Sequence, residues 1–142
     1  MEVRKLAHAL GAEVLGVDIT QPLDAATVAA IRAAWMEHLV LVIRGCDLTP
    51  EQHIRFSKYF GDLELHPNKY NRHPEHPELY ILTNRQIDGR PSDTRGAGRK
   101  WHSDGIYKLK PSMGSLLHSR EIPPVGGDTM FANMYMAYET LS

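Results

Sequence analysis

At 142 residues the chain suits a single domain. Its 16 Lys+Arg balance 17 Asp+Glu, which argues against strong general attraction to nucleic acid or to an anionic membrane surface. A hydrophobic share of 42% is enough for a packed core and too high for intrinsic disorder, and the single Cys46 excludes an intrachain disulfide.

The opening segment, "MEVRKLAHALGAEVLG", lacks the apolar core of a secretory signal, so a reducing, cytoplasmic setting is the default expectation. Residues 11–20, with Val, Leu and Ile between glycines, predict a strand. Over 24–37, Val28, Ile31, Trp35 and then Leu39 recur at helical spacing, with Asp24 as N-cap. The run 39–45, "LVLVIRG", predicts a buried strand and is far too short to span a membrane. A second helix follows over 50–60. Thr49 caps it, Pro50 takes its first position, Gln52 completes a capping box, and Gly61 is a natural stop.

The stretch "HPNKYNRHPEHPE" reads as loop and 79–84 as another buried strand. Residues 85–100 read as a long loop, with Arg85, Arg90, Arg95, Arg99 and Lys100. It is either a solvated loop or a lid over an anionic substrate. Segments 101–107, 114–122 and 128–133 predict strands of one β-sandwich, with the helices packed outside. The helical pattern that opens at 135 is unfinished at 142, which predicts the first part of a longer domain.

Eight histidines invite a metal hypothesis. On a strand, residues two apart point to one face, so His102 and Asp104 in "WHSDGIY" can offer an imidazole nitrogen and a carboxylate oxygen to one ion. Eight His and eight Asp yield about 0.4 such pairs by chance, so the pair alone reads more readily as exposed polar residues. His73 and His76 form a His-x-x-His with no third spaced ligand and read as solvated loop. His118 reads as a strand residue, His53 as an ordinary surface position, and Cys46 as packing. In "VGGDT", Gly126 and Gly127 can take positive φ and turn Thr129 inward.

Context changes the weight of the pair. "WHSDGIY" is followed by "PSMGSLLHSREIPPVGGDTMFANMYMAYETLS", and "LVLVIRGCDLTPEQHIRFSKYFGDLELHP" precedes it. Together these resemble the taurine / 2,4-dichlorophenoxyacetate dioxygenase (TauD/TfdA) family of Fe(II)- and 2-oxoglutarate-dependent oxygenases, over about half of a typical member. The resemblance implies a double-stranded β-helix, a jelly roll of the clavaminate synthase type that is mainly β with flanking helices. Residues 1–142 would be the N-terminal part of that one domain.

It also implies Fe(II), 2-oxoglutarate as cosubstrate and O2, and a small-molecule substrate that is hydroxylated with release of succinate and CO2. His102 and Asp104 match two iron ligands, and Thr129 matches a threonine that helps hold 2-oxoglutarate. His66 matches a histidine facing the substrate in some members, and Asn84 an asparagine near the same pocket. The family's distal histidine ligand and its 2-oxoglutarate-binding arginine lie further along than Ser142. Two alternatives stay open: a non-catalytic metal- or small-molecule-binding jelly-roll module, and a fragment inactive without its C-terminal half. No nucleic-acid or membrane partner is expected, and a homo-oligomer is a possible assembly.

Overall fold

A computed structural model describes residues 1–141 except 88, 93 and 95, and not the side chain of Ile87. Arg95 of the basic segment therefore lies outside the described residues. The chain forms two compact units, residues 1–52 with 120–142, and residues 53–119.

The first unit is built on a three-stranded mixed sheet in the order β1-β2-β3. Strand β1 (Glu2–Lys5) pairs antiparallel with β2 (Ala12–Leu15), Val3 opposite Val14. Strand β2 pairs in parallel with β3 (Leu41–Val42), Ala12 opposite Leu41. A parallel pair needs a crossover, and helix α1 (Ala25–His38) supplies it. Alternation on the central strand sends Ala12 and Val14 into the core with Ile19, Ile31, Ala34 and Leu48. Glu13 is also buried, and Arg4 at 2.5 Å and Arg44 at 3.2 Å neutralise it.

Asp24 caps α1 by accepting from the Thr27 amide at 2.7 Å. The helix ends without a glycine. Leu39 takes φ 66°, an unfavourable value for a γ-branched residue, while its amide donates to the Trp35 carbonyl and its carbonyl accepts from Trp35 Nε1. The expected capping box of α2 (Pro50–Lys58) is present in both directions. The Thr49 amide donates to Gln52 Oε1 at 2.8 Å, and the Gln52 amide to Thr49 Oγ1 at 3.3 Å. A short helix α3 (Met134–Glu139) is capped by Asn133, whose Nδ2 also donates to the Ala9 carbonyl, and closes at Thr140.

In the second unit Phe56 is buried, with Tyr59 and Phe60 edge-on to it at 6.5 and 5.3 Å. The basic segment read as loop contains a hairpin, β4 (Gln86–Ile87) with β5 (Arg90–Pro91). Just beyond it Ser92 and Thr94 are buried with Asn71. Asn71 Nδ2 donates to Ser92 Oγ at 3.2 Å, Ser92 and Thr94 hydroxyls meet at 2.8 Å, and Thr94 Oγ1 bridges the amide and carbonyl of Thr83. Burial of polar groups is tolerated because each finds a partner.

Several expected strands are corrected. Segment 79–84 contributes one bridge, Arg72 to Tyr80, and is half-buried at most. The strand at 39–45 shrinks to two half-buried residues because, among the described residues, β2 is its one partner. Segments 101–107, 114–122 and 128–133 hold no strand. Residues 104–107 form a turn, with Gly105 at φ 65° and the Lys108 amide donating to its carbonyl at 3.0 Å. A strand is defined by its ladder, and among the described residues nothing pairs with these segments. Leu117 and Ile122 remain exposed accordingly.

Candidate active site

His102 and Asp104 sit on the surface of the second unit, at the start of the turn rather than on a ladder. Their side chains nonetheless converge, with His102 Nε2 at 3.3 Å from Asp104 Oδ1. Two ligands about 2.1 Å from one ion and about 90° apart stand about 3.0 Å from each other, so the pair needs little adjustment to share a metal. His102 Nδ1 lies 2.8 Å from the Lys100 carbonyl. A carbonyl can only accept, so Nδ1 donates to it, and Nε2 is the ring nitrogen turned towards the carboxylate. An Nδ1 engaged in this way leaves Nε2 as the nitrogen that a metal would take. Asp104 Oδ2 accepts from Ser115 Oγ at 2.7 Å.

In the same unit, Glu64 Oε2 accepts from Lys108 Nζ and from Ser112 Oγ at 3.1 Å. Lys108 and Ser112 hold the Glu64 carboxyl below the usual carboxylate range, and Glu64 raises the Lys108 ammonium. His66, two residues after Glu64, stacks on Tyr80 with centroids 3.7 Å apart, while its Nδ1 accepts from the Asn68 amide. Arg72 reaches the His66 carbonyl through Nε at 2.8 Å and through Nη2. Asn84 is exposed on the bend before the hairpin. Thr129 is exposed and belongs to the first unit, following Gly126 and Gly127, both at φ 76°.

The remaining histidines have other work. His73 Nδ1 accepts from the amides of Glu75 and His76, shaping the proline-rich loop. His53 is half-buried, and its ring meets His118 edge-on at 5.7 Å. Burial, then the neighbouring His118, lowers the His53 pKa. Burial and Asp18 raise the Cys46 thiol, away from reactivity. No group of three His, Cys, Asp or Glu able to hold a metal exists among the described residues. No helix is long and apolar enough to cross a membrane, again among the described residues. Sequence reasoning missed Ser115, the Glu64–Lys108 pair and the buried Asn71–Ser92–Thr94 group, each of which joins segments distant in sequence.

An imidazole and a carboxylate that approach one point are two of the donor types a mononuclear metal centre uses. The family described as "Taurine catabolism dioxygenase TauD, TfdA family" matches residues 2–142, and the chain belongs to it. Pentalenolactone F synthase of Streptomyces arenae is 36% identical over 100% of this chain and 49% of its own. The alpha-ketoglutarate-dependent 2,4-dichlorophenoxyacetate dioxygenase of Cupriavidus pinatubonensis is 34% identical over 88% of this chain and 47% of its own.

Among solved structures, a taurine dioxygenase from Burkholderia xenovorans superposes with TM-score 0.84 at 38% identity, covering 99% of this chain and 48% of that one. AAD-2 in complex with Mn(II) and N-oxalylglycine superposes with TM-score 0.83 at 29% identity, covering 99% and 51%. Such dioxygenases have a jelly-roll fold and use Fe(II), 2-oxoglutarate and O2. The chain spans about half the length of the curated relatives it matches.

Proposed function

We propose that residues 1–142 are the N-terminal part of one jelly-roll domain of a 2-oxoglutarate-dependent dioxygenase. The whole protein would hydroxylate a small anionic organic substrate: the C–H bond, 2-oxoglutarate and O2 yield the alcohol, succinate and CO2. The observation that carries this reading is the 3.3 Å approach of His102 Nε2 to Asp104 Oδ1, with the proton held on Nδ1 by Lys100. These two atoms would bind Fe(II), which supplies the centre at which 2-oxoglutarate and O2 react. Two residues on one side of an ion leave its other positions to a further ligand, the cosubstrate and O2.

Thr129 would donate its hydroxyl to 2-oxoglutarate, and His66 and Asn84 would contact the substrate. His66 suits that role through a ring already oriented by Tyr80 and by the Asn68 amide. An anionic substrate fits the basic side chains of Arg90, Arg99 and Lys100, which are exposed just ahead of the pair. The relatives' names include sulfate ester and phenoxypropionate dioxygenases, both of which act on anions.

The test is Fe(II)-dependent succinate release from 2-oxoglutarate by the full-length protein, with alkyl sulfates, sulfonates and aryloxy acids as candidate substrates. Release that one of these stimulates, and that His102→Ala and Asp104→Ala each abolish, is the expected result. Succinate formed equally well by both variants would remove the pair from the reaction.

A further inference from the structure

We infer that Ser115 is a positioning residue for Asp104, fixing which carboxylate oxygen is presented to the metal; this rests on the iron-site reading above. Asp104 lies on an exposed turn directly before Gly105, which has φ 65°. No sheet ladder restrains it, and rotation about its terminal sp³–sp² bond is broad and roughly two-fold, so either oxygen could face His102. Ser115, eleven residues later, breaks that symmetry by donating Oγ–H to Oδ2 at 2.7 Å. The other oxygen, Oδ1, is left facing His102 Nε2 at 3.3 Å.

Two consequences follow for metal binding. The carboxylate is oriented before the ion arrives, so less side-chain freedom is lost on binding. With Oδ2 engaged, binding through Oδ1 alone is favoured over chelation by both oxygens, which keeps one more coordination position for cosubstrate and O2. The Lys100 carbonyl orients the imidazole in the same manner, but a backbone group has no side-chain variant, so Ser115 is the arm that mutation can remove.

The experiment titrates the full-length protein with Co(II), an optical surrogate for Fe(II), and reads affinity and the ligand-field spectrum without any turnover. Ser115→Ala should weaken Co(II) binding by about 10- to 100-fold and alter the spectrum. Ser115→Thr, which keeps the hydroxyl, should restore both, and the thermal midpoint of the metal-free protein should be the same in all three. Wild-type affinity and spectrum in Ser115→Ala would overturn the inference while leaving the iron site standing. Loss of binding accompanied by loss of the metal-free thermal transition would assign Ser115 to folding and overturn it equally. If wild type and His102→Ala bind Co(II) alike, the iron-site reading itself fails, and this inference with it.

Discussion

Glu64 and Lys108 form an ion pair across 44 residues of sequence, joining the end of the turn that Asp104 opens to the segment that carries His66. Ser112 Oγ adds a second donor to the same carboxylate oxygen. The folded carboxyl titrates below its ordinary value of 4.5, so the clasp's contribution is complete above that pH and is lost as pH falls through the folded value. The Lys108 ammonium titrates above its ordinary 10.5, so its share is complete below that pH and lost as pH rises through the folded value. Glu64→Gln and Lys108→Met should therefore each lower the thermal midpoint at neutral pH. The double variant should lose less than the two losses added. Salt at about 1 M should shrink that coupling, because the pair is solvent-exposed. Strict additivity at low salt would show the pair to be inconsequential.

His53 supplies a second pH response at a different place. Its pKa lies below the ordinary 6.5 because burial and the facing His118 disfavour the imidazolium. Below 6.5 the unfolded chain takes up this proton before the folded chain does. Stability is then complete above 6.5 and declines as pH falls through the folded value. In urea denaturation, the midpoint should drop between about pH 7.5 and about pH 5.5, and His53→Phe should flatten part of that drop. An identical pH profile in the variant would show that the lost stability comes from other histidines.

What was legible in the sequence was local. Asp24, Thr49 and Gln52 announce their helices through side chain-to-backbone bonds that close within three residues, and all three make them. The positive φ at Gly126 and Gly127 is equally local. Strand pairing is not local. Residues 114–122 and 128–133 carry strand composition, yet a ladder also needs a neighbour, and no described segment supplies one. Positioning contacts were the least legible: Glu64 with Lys108, Asn71 with Ser92 and Ser115 with Asp104 are ordinary polar residues whose partners lie far along the chain. The His102–Asp104 pair was visible as a spacing. The orientation of its rings and oxygens was not, because Lys100 contributes a backbone atom and Ser115 a hydroxyl from another segment.

The reciprocal bonds of Thr49 and Gln52 satisfy two amides at the start of α2. Thr49→Ala removes the acceptor for the Gln52 amide and should cost about 1 kcal/mol, seen as a lower urea midpoint at unchanged slope. Thr49→Ser, which keeps the oxygen, should recover most of it. Equal losses in both variants would mean that the methyl, and not the cap, matters at this position.

Gly127 is the tighter of the two glycines before Thr129. It has φ 76°, and a Cβ there would stand 2.9 Å from Pro123 Cγ. Gly127→Ala should cost about 1–2 kcal/mol for the left-handed backbone alone, with the proline ring adding to it. At Gly126, with the same φ and nothing within 4 Å of a new Cβ, alanine should cost less. The comparison of urea midpoints separates the steric term from the conformational one, and equal losses would show that Pro123 yields freely.

The chain of 142 residues taken alone should bind metal weakly and turn nothing over. On the proposed reading His102 and Asp104 would offer two ligands, and no described group of three acidic, histidine or cysteine side chains completes them. Loss of one ligand from a facial triad removes both affinity and the geometry that holds cosubstrate and O2 on adjacent positions. Trp101, Tyr107, Leu109, Ile122, Val125 and Tyr138 are each exposed, with Leu109 wholly so. Apolar surface on that scale favours association, so light scattering should show mass rising with concentration. A monomeric preparation that releases succinate with Fe(II) and 2-oxoglutarate, and loses the activity on Asp104→Ala, would place the third ligand inside this chain. His66 and His118 would then be the first to substitute. Both have rings engaged elsewhere, His66 on Tyr80 and His118 against His53, so either would have to leave an aromatic partner to reach the metal.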